Sequence, residues 1–122
     1  MIWASRVIIY SDKLFYAAAL EWTLMITRLR IRNKNKMYYT YLLESLIDKG
    51  WYIGYSTDLK KRFASHNKGE NSATKKKRPW KLIYYEAYTD QLDAKKRERF
   101  LKSGSGRRFL KKQLENYLNT NN

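Results

Sequence analysis

The chain has 122 residues, no cysteine and a single histidine, and its 26 Lys and Arg against 11 Asp and Glu give a formal net charge of +15. A chain this long makes one domain with a modest core. Without thiols or a second imidazole it excludes a disulfide framework, a thiolate zinc site and a multi-histidine metal site, leaving any metal to carboxylates and hence to a hard ion such as Mg2+ or Mn2+. The charge points to a polyanionic partner, nucleic acid before anionic membrane, and the missing cysteines fit a reducing compartment, the cytoplasm.

Residues 1–36 differ from the rest, with two apolar blocks followed by the basic run "RLRIRNKNK". Asp12, Lys13 and Glu21 interrupt the apolar part, so a membrane span is not expected, and no small-residue cleavage site follows a clean apolar stretch. Leu14, Ala17, Ala18, Glu21, Trp22 and Met25 share helical spacing. The segment therefore reads as a helical arm over about residues 12–29 or, with Met37 as an alternative start, as an upstream extension.

From residue 38 the elements are sharply marked. "YYTYLLES" is aromatic and β-favouring, "LIDKG" supplies a turn with Gly50, and "WYIGYS" resumes the extended pattern, which together predict a β-hairpin. Thr57 or Asp58 caps a helix that turns Leu59 and Phe63 inward and runs to about Lys68, where Gly69 ends it. "GENSATKKKRP" reads as a loop and "WKLIYYEAY" as a third strand. Thr89 or Asp90 opens a second helix, which "SGSG" at 103–106 separates from a final amphipathic helix carrying Phe109, Leu110, Leu114 and Leu118. The order is ββαβαα, an α+β fold with a three-stranded sheet. The domain spans residues 37–118, and 119–122 form a disordered tail.

This order gathers certain polar side chains. Arg62 and His66 lie four apart and so project from one face of the first helix, which leaves directly from the strand carrying Tyr52. Tyr41 lies on the partner strand, and Glu98 on the second helix in "AKKRERFLK". Taken singly, each has an ordinary structural reading: strand tyrosines pack, helix arginines are solvated, and a lone glutamate among lysines is a surface ion-pair partner.

The joint spacing is more informative. "YTY", then "YIG" 11 residues on, an arginine 10 beyond the YIG tyrosine, a histidine four further and a glutamate on a later helix resemble the GIY-YIG nuclease family. The resemblance covers about residues 37–115 and is closest to small stand-alone members related to the nuclease domain of excinuclease C. Tyr39, Thr40 and Tyr41 stand in a degenerate first motif that keeps its final tyrosine, whereas Tyr52, Ile53 and Gly54 form an intact second motif. Tyr55 follows where excinuclease C domains carry a lysine.

The resemblance implies a three-stranded antiparallel sheet between helices and phosphodiester hydrolysis assisted by one divalent ion, Mg2+ or Mn2+. By position it implies Tyr52 at the nucleophilic water, as general base or orienter, with Tyr41 supporting it. Arg62 would face the scissile phosphate, His66 would occupy a helix position where members place histidine or tyrosine, and Glu98 would be the metal ligand. Elementary chemistry agrees with the set: a guanidinium fork and a cation stabilise charge that develops on phosphoryl oxygens, and a lone carboxylate leaves most coordination sites to water and phosphate.

Lys60, Lys61, Lys75, Lys76, Lys77, Arg78, Lys102 and Arg107 supply a basic surface for DNA phosphates, with Lys102 or Arg107 also closing the site beyond the glutamate. No base-reading motif is present, so selection by DNA structure, as in repair or recombination, is expected. Two other classes fit the same composition: a non-catalytic nucleic-acid-binding module of the same fold, and a peripheral membrane protein that uses residues 1–36 as an amphipathic anchor.

Overall fold

The computed structural model describes residues 36–121, so the helix expected over residues 12–29 lies outside the described residues. Strands β1 (Tyr38–Ser45) and β2 (Trp51–Ser56) form the hairpin. Helix α1 (Leu59–Lys68) and one 3-10 turn (Lys75–Lys77) lead to β3 (Trp80–Tyr88). Helices α2 (Gln91–Lys102), α3 (Gly104–Gln113) and α4 (Glu115–Thr120) complete the chain. The sheet is antiparallel throughout with order β2-β1-β3, which places the first strand in the middle.

Local signals account for most boundaries. Asp58 caps α1 by accepting the Lys61 N–H at 3.0 Å, and Asp90 caps α2 by accepting the Leu92 N–H at 2.8 Å. Gly69 ends α1 in the left-handed region, φ 80°, and donates its N–H to carbonyls of the last turn. The hairpin turn falls in "LIDKG" as expected: Lys49 takes a positive φ of 62°, and the Gly50 N–H is held by the Asp48 carboxylate at 2.8 Å.

The two faces of the central strand alternate into two cores, as strand geometry requires. Tyr41 and Leu43 pack with Trp80 and, across α1, with Leu59 and Phe63. Leu42 and Ile53 pack with Leu101 and Leu110 beneath α2 and α3. Leu42, Leu101 and Leu110 are completely buried, and truncating any one to alanine should cost about 2–5 kcal/mol.

The "SGSG" segment is not a separator. Ser103 ends α2 and also caps α3, its hydroxyl accepting the Gly106 N–H at 3.1 Å, and all of Gly104–Gly106 is helical. Gly106 sits where α3 crosses the end of α2, and a Cβ there would collide with the backbone of Phe100 and Leu101. The final helix breaks at Leu114, and α4 continues to Thr120, taking in two residues assigned above to the tail. Tyr117 of α4 docks on the sheet by donating to the buried Glu44 carboxylate at 3.0 Å.

Candidate active site

The site forms where the middle strand, β2, α1 and α2 meet. Tyr41 pairs with Gly54 in the β1–β2 register, so the two point to the same face. A Cβ on Gly54 would lie 2.5 Å from Tyr41 Cζ and 3.1 Å from Cε1, and nearer still to the hydroxyl. The glycine of "YIG" thus makes room for the Tyr41 ring to lie across β2. Tyr52, two residues earlier on the same face, brings its ring to 6.5 Å from Tyr41 and 5.0 Å from His66.

Tyr41 and His66 are both fully buried, and the Tyr41 hydroxyl is 2.8 Å from His66 Nε2. On its other side His66 Nδ1 lies 2.8 Å from Thr74 Oγ1. The Arg62 guanidinium lies beside the Tyr41 hydroxyl, and the Thr74 hydroxyl donates to the Asn71 carbonyl at 3.4 Å. Thr74 oxygen therefore accepts from His66 Nδ1–H, and His66 Nε2 accepts the Tyr41 proton. Burial, opposed by the Arg62 hydrogen bond, pushes the Tyr41 phenol up to about 12. Burial, with the Arg62 charge second, pulls His66 down to about 4, so its imidazole is neutral near pH 7.

Arg62 lies beside the hydroxyls of both Tyr41 and Tyr52, and the Tyr41 hydroxyl is the first cause that raises its pKa. Its Nε is buried and has no hydrogen-bond partner. Among the described residues it has no carboxylate at ion-pair distance. A cation set beside two phenols and keeping a donor unused is a ready anion contact. Glu98 reaches the same place from α2: its charge is among the influences that raise the Tyr41 pKa, and its side chain is 20% exposed. Lys102, one turn on, holds Oε2 at 3.2 Å.

Helix α2 is fixed by two contacts that turn it toward the site. The Thr40 hydroxyl donates to the Ala94 carbonyl at 2.7 Å. Arg97 makes a two-pronged pair with the buried Glu86, Nε to Oε2 at 2.8 Å and Nη2 to Oε1 at 3.2 Å. Tyr84 and Tyr88 donate to the same carboxylate, each at 2.8 Å. Burial alone would raise the Glu86 pKa, but these donors outweigh it and hold it low.

Of the side chains singled out from sequence, Tyr41, Tyr52, Arg62 and Glu98 come together, and His66 lies behind Tyr41 rather than at the surface. Lys60, Lys61, Lys75, Lys76, Lys77, Arg78, Lys102 and Arg107 are all exposed. Two of them are engaged: Lys77 pairs with Asp48 at 3.0 Å and Lys102 with Glu98. Sequence reasoning missed Thr74 and Asn67. Thr74 sits in a polar loop with nothing to mark it. Asn67 brackets the Trp80 backbone, accepting its N–H at 2.7 Å and donating to its carbonyl at 3.1 Å. The basic run 75–78 is thereby anchored at both ends, next to the Tyr41–His66 chain.

As for a metal, no group of three or more His, Asp or Glu able to hold an ion is found among the described residues. The donor set is one carboxylate, Glu98, beside an unpaired arginine donor. That set fits a hard ion such as Mg2+ or Mn2+, which keeps several waters and takes the rest of its shell from substrate phosphate.

Comparison with known proteins extends over the same region. Residues 37–116 match the family described as GIY-YIG catalytic domain. The chain is 43% identical over 68 residues to a UPF0213 protein of Streptococcus pyogenes serotype M3, covering 55% of this chain and 73% of that one. It is 39% identical over 77 residues to a UPF0213 protein in the ldhD 5' region of Pediococcus acidilactici, covering 61% and 78%. No solved structure matches.

Proposed function

The chain belongs to the GIY-YIG catalytic-domain family, a family of nuclease domains, and we propose that it is a metal-dependent endonuclease that hydrolyses phosphodiester bonds in DNA. The observation that carries the reading is Arg62: a guanidinium beside two phenols, with its Nε buried and unused and no carboxylate at ion-pair distance among the described residues. Arg62 binds the scissile phosphate and stabilises the charge that grows on its oxygens. Tyr52, partly exposed beside Arg62, orients the attacking water. Tyr41 is a positioning residue, since its hydroxyl lies against Arg62 and its proton is given to His66. Glu98 would hold Mg2+ or Mn2+, which when bound lowers the pKa of water and polarises the phosphoryl oxygen.

The exposed lysines and arginines contact phosphates, and no base-reading motif is found among the described residues, so the protein selects branched or end-containing DNA in repair or recombination. Glu98→Gln tests the reading, because it keeps size and helix propensity while removing the ligand charge. DNA affinity without metal should hold or rise, and metal-dependent cleavage should fall by roughly 100-fold or more. Cleavage close to that of the unmodified chain would reduce Glu98 to a surface partner of Lys102 and sink the proposed site. Tight binding with no cleavage by the unmodified chain on any branched, nicked or single-stranded DNA would favour the binding-only module.

A further inference from the structure

Beside the site, between α1 and the β1–β3 face, lies a groove of about 600 Å³ that the mechanism does not use. We propose that this groove binds an unpaired nucleobase of a DNA strand, so that the substrate carries a single-stranded segment next to the cut; this rests on the nuclease reading above. The floor is apolar, formed by Phe63 and Leu82, and Tyr39 and Tyr85 line the sheet side. The two phenol rings stand 6.3 Å apart and tilted at 59°, and Tyr85 is 36% exposed. Lys60 lines the groove, whereas the Asp58 carboxylate also found there is spent on the α1 cap. The volume falls within the range of about 300–1,000 Å³ that small-molecule sites span.

Position ties the groove to the site. Tyr39 precedes Tyr41 by two residues on β1 and shares its face, Tyr85 pairs with Tyr41 across β1–β3, and Phe63 follows Arg62. A strand that brings a phosphate to Arg62 therefore passes Tyr39 and Tyr85 with its bases. Lys60 and Lys61 on the first turn of α1, in a chain of net charge +15, complement the backbone of that strand. A nucleotide combines a flat apolar face with an anionic tether, which is what rings beside lysines accommodate. Bases inside a duplex have their faces covered by their neighbours and cannot enter. Stacking of this kind tolerates any base, so the groove selects strandedness and not sequence.

The test uses the full chain in metal-free buffer, with a hairpin duplex that either ends blunt or carries a short single-stranded extension containing 2-aminopurine. The extended DNA should bind about tenfold more tightly, and the 2-aminopurine emission should be quenched on binding. Tyr85→Ala, a change at an exposed position, should remove most of that preference while altering blunt-duplex affinity by less than about twofold, and Tyr85→Trp should keep it. Equal affinity for the two DNAs, or an equal loss on both with Tyr85→Ala, overturns the groove assignment. So does a concentration-dependent dimer that Tyr85→Ala dissociates, which would give the groove to a second copy. Any of these results accompanied by metal-dependent cleavage leaves the nuclease reading standing, whereas failure to bind either DNA overturns both.

Discussion

Acidification should unfold this protein partly through one residue. His66 is completely buried, is hydrogen-bonded at both ring nitrogens, and titrates at about 4 because burial and then the Arg62 charge oppose its protonation. In the unfolded chain it titrates near the ordinary value of 6.5. Between those two values the unfolded state binds a proton that the folded state refuses, so stability rises with pH there. The contribution is fully present above about 6.5 and is lost as pH falls through about 4, below which this group adds no further slope. The gap corresponds to on the order of 3 kcal/mol, a large part of the 5–15 kcal/mol typical of a domain. Carboxylates titrate in the same window, so the informative quantity is a difference. Urea unfolding of the parent and of His66→Gln across that range should give curves that converge on acidification, the parent losing about 3 kcal/mol more. Parallel curves would mean that His66 protonates in place, and would refute the buried neutral relay.

Gly54→Ala should drive a methyl into the Tyr41 ring, which His66 and Arg62 hold in place. A loss of about 2–4 kcal/mol in a denaturant melt is expected, and a change below about 0.5 kcal/mol would show that the ring moves freely. Arg97→Met should take the guanidinium from the buried Glu86 carboxylate, costing about 3–5 kcal/mol, and thermal melts showing a neutral effect would end the idea that this pair fixes α2. Replacing Lys75, Lys76 and Arg78 by Gln should cut the slope of log K against log salt on duplex DNA by about 2.7, from about −4 to −5, by fluorescence anisotropy without metal. Lys77 is spared because it pairs with Asp48. An unchanged slope would move the phosphate contacts elsewhere.

What was legible in the chain is what short-range chemistry writes there. The alternation of "YYTYLLES" and "WYIGYS", the caps Asp58 and Asp90 and the stop at Gly69 each act within a few residues, and each appears where the sequence puts it. The glycines of "SGSG" read as a linker because nothing local says that α3 passes over Phe100, and a close crossing needs the missing Cβ more than a turn needs the flexibility. Helical spacing put His66 on one face with Arg62 but said nothing of its burial. Its burial depends on Tyr41, 25 residues away, and on Thr74, which no pattern marks. The Glu86–Arg97 pair was equally invisible, since a strand glutamate and a helix arginine in so basic a chain look solvated until the topology stacks them.

These non-local contacts also bear on how the two motif phenols, Tyr41 and Tyr52, would divide the work under the proposed reading. Tyr41 is unsuited to act as a base: its phenol is pushed up to about 12, and its proton is committed to His66. What it can do is fix the guanidinium. An arginine on a helix ordinarily samples many rotamers, and each one frozen by phosphate alone would be charged against binding. Here the cost is met in folding, through a chain that runs from Arg62 through Tyr41 and His66 to Thr74 and ends on the loop carrying residues 75–78. Tyr52 lies beside the same guanidinium but is partly open, so under the proposed reading the hydroxyl that meets water is the one on the intact motif, and the degenerate triplet keeps the tyrosine that packs against the arginine.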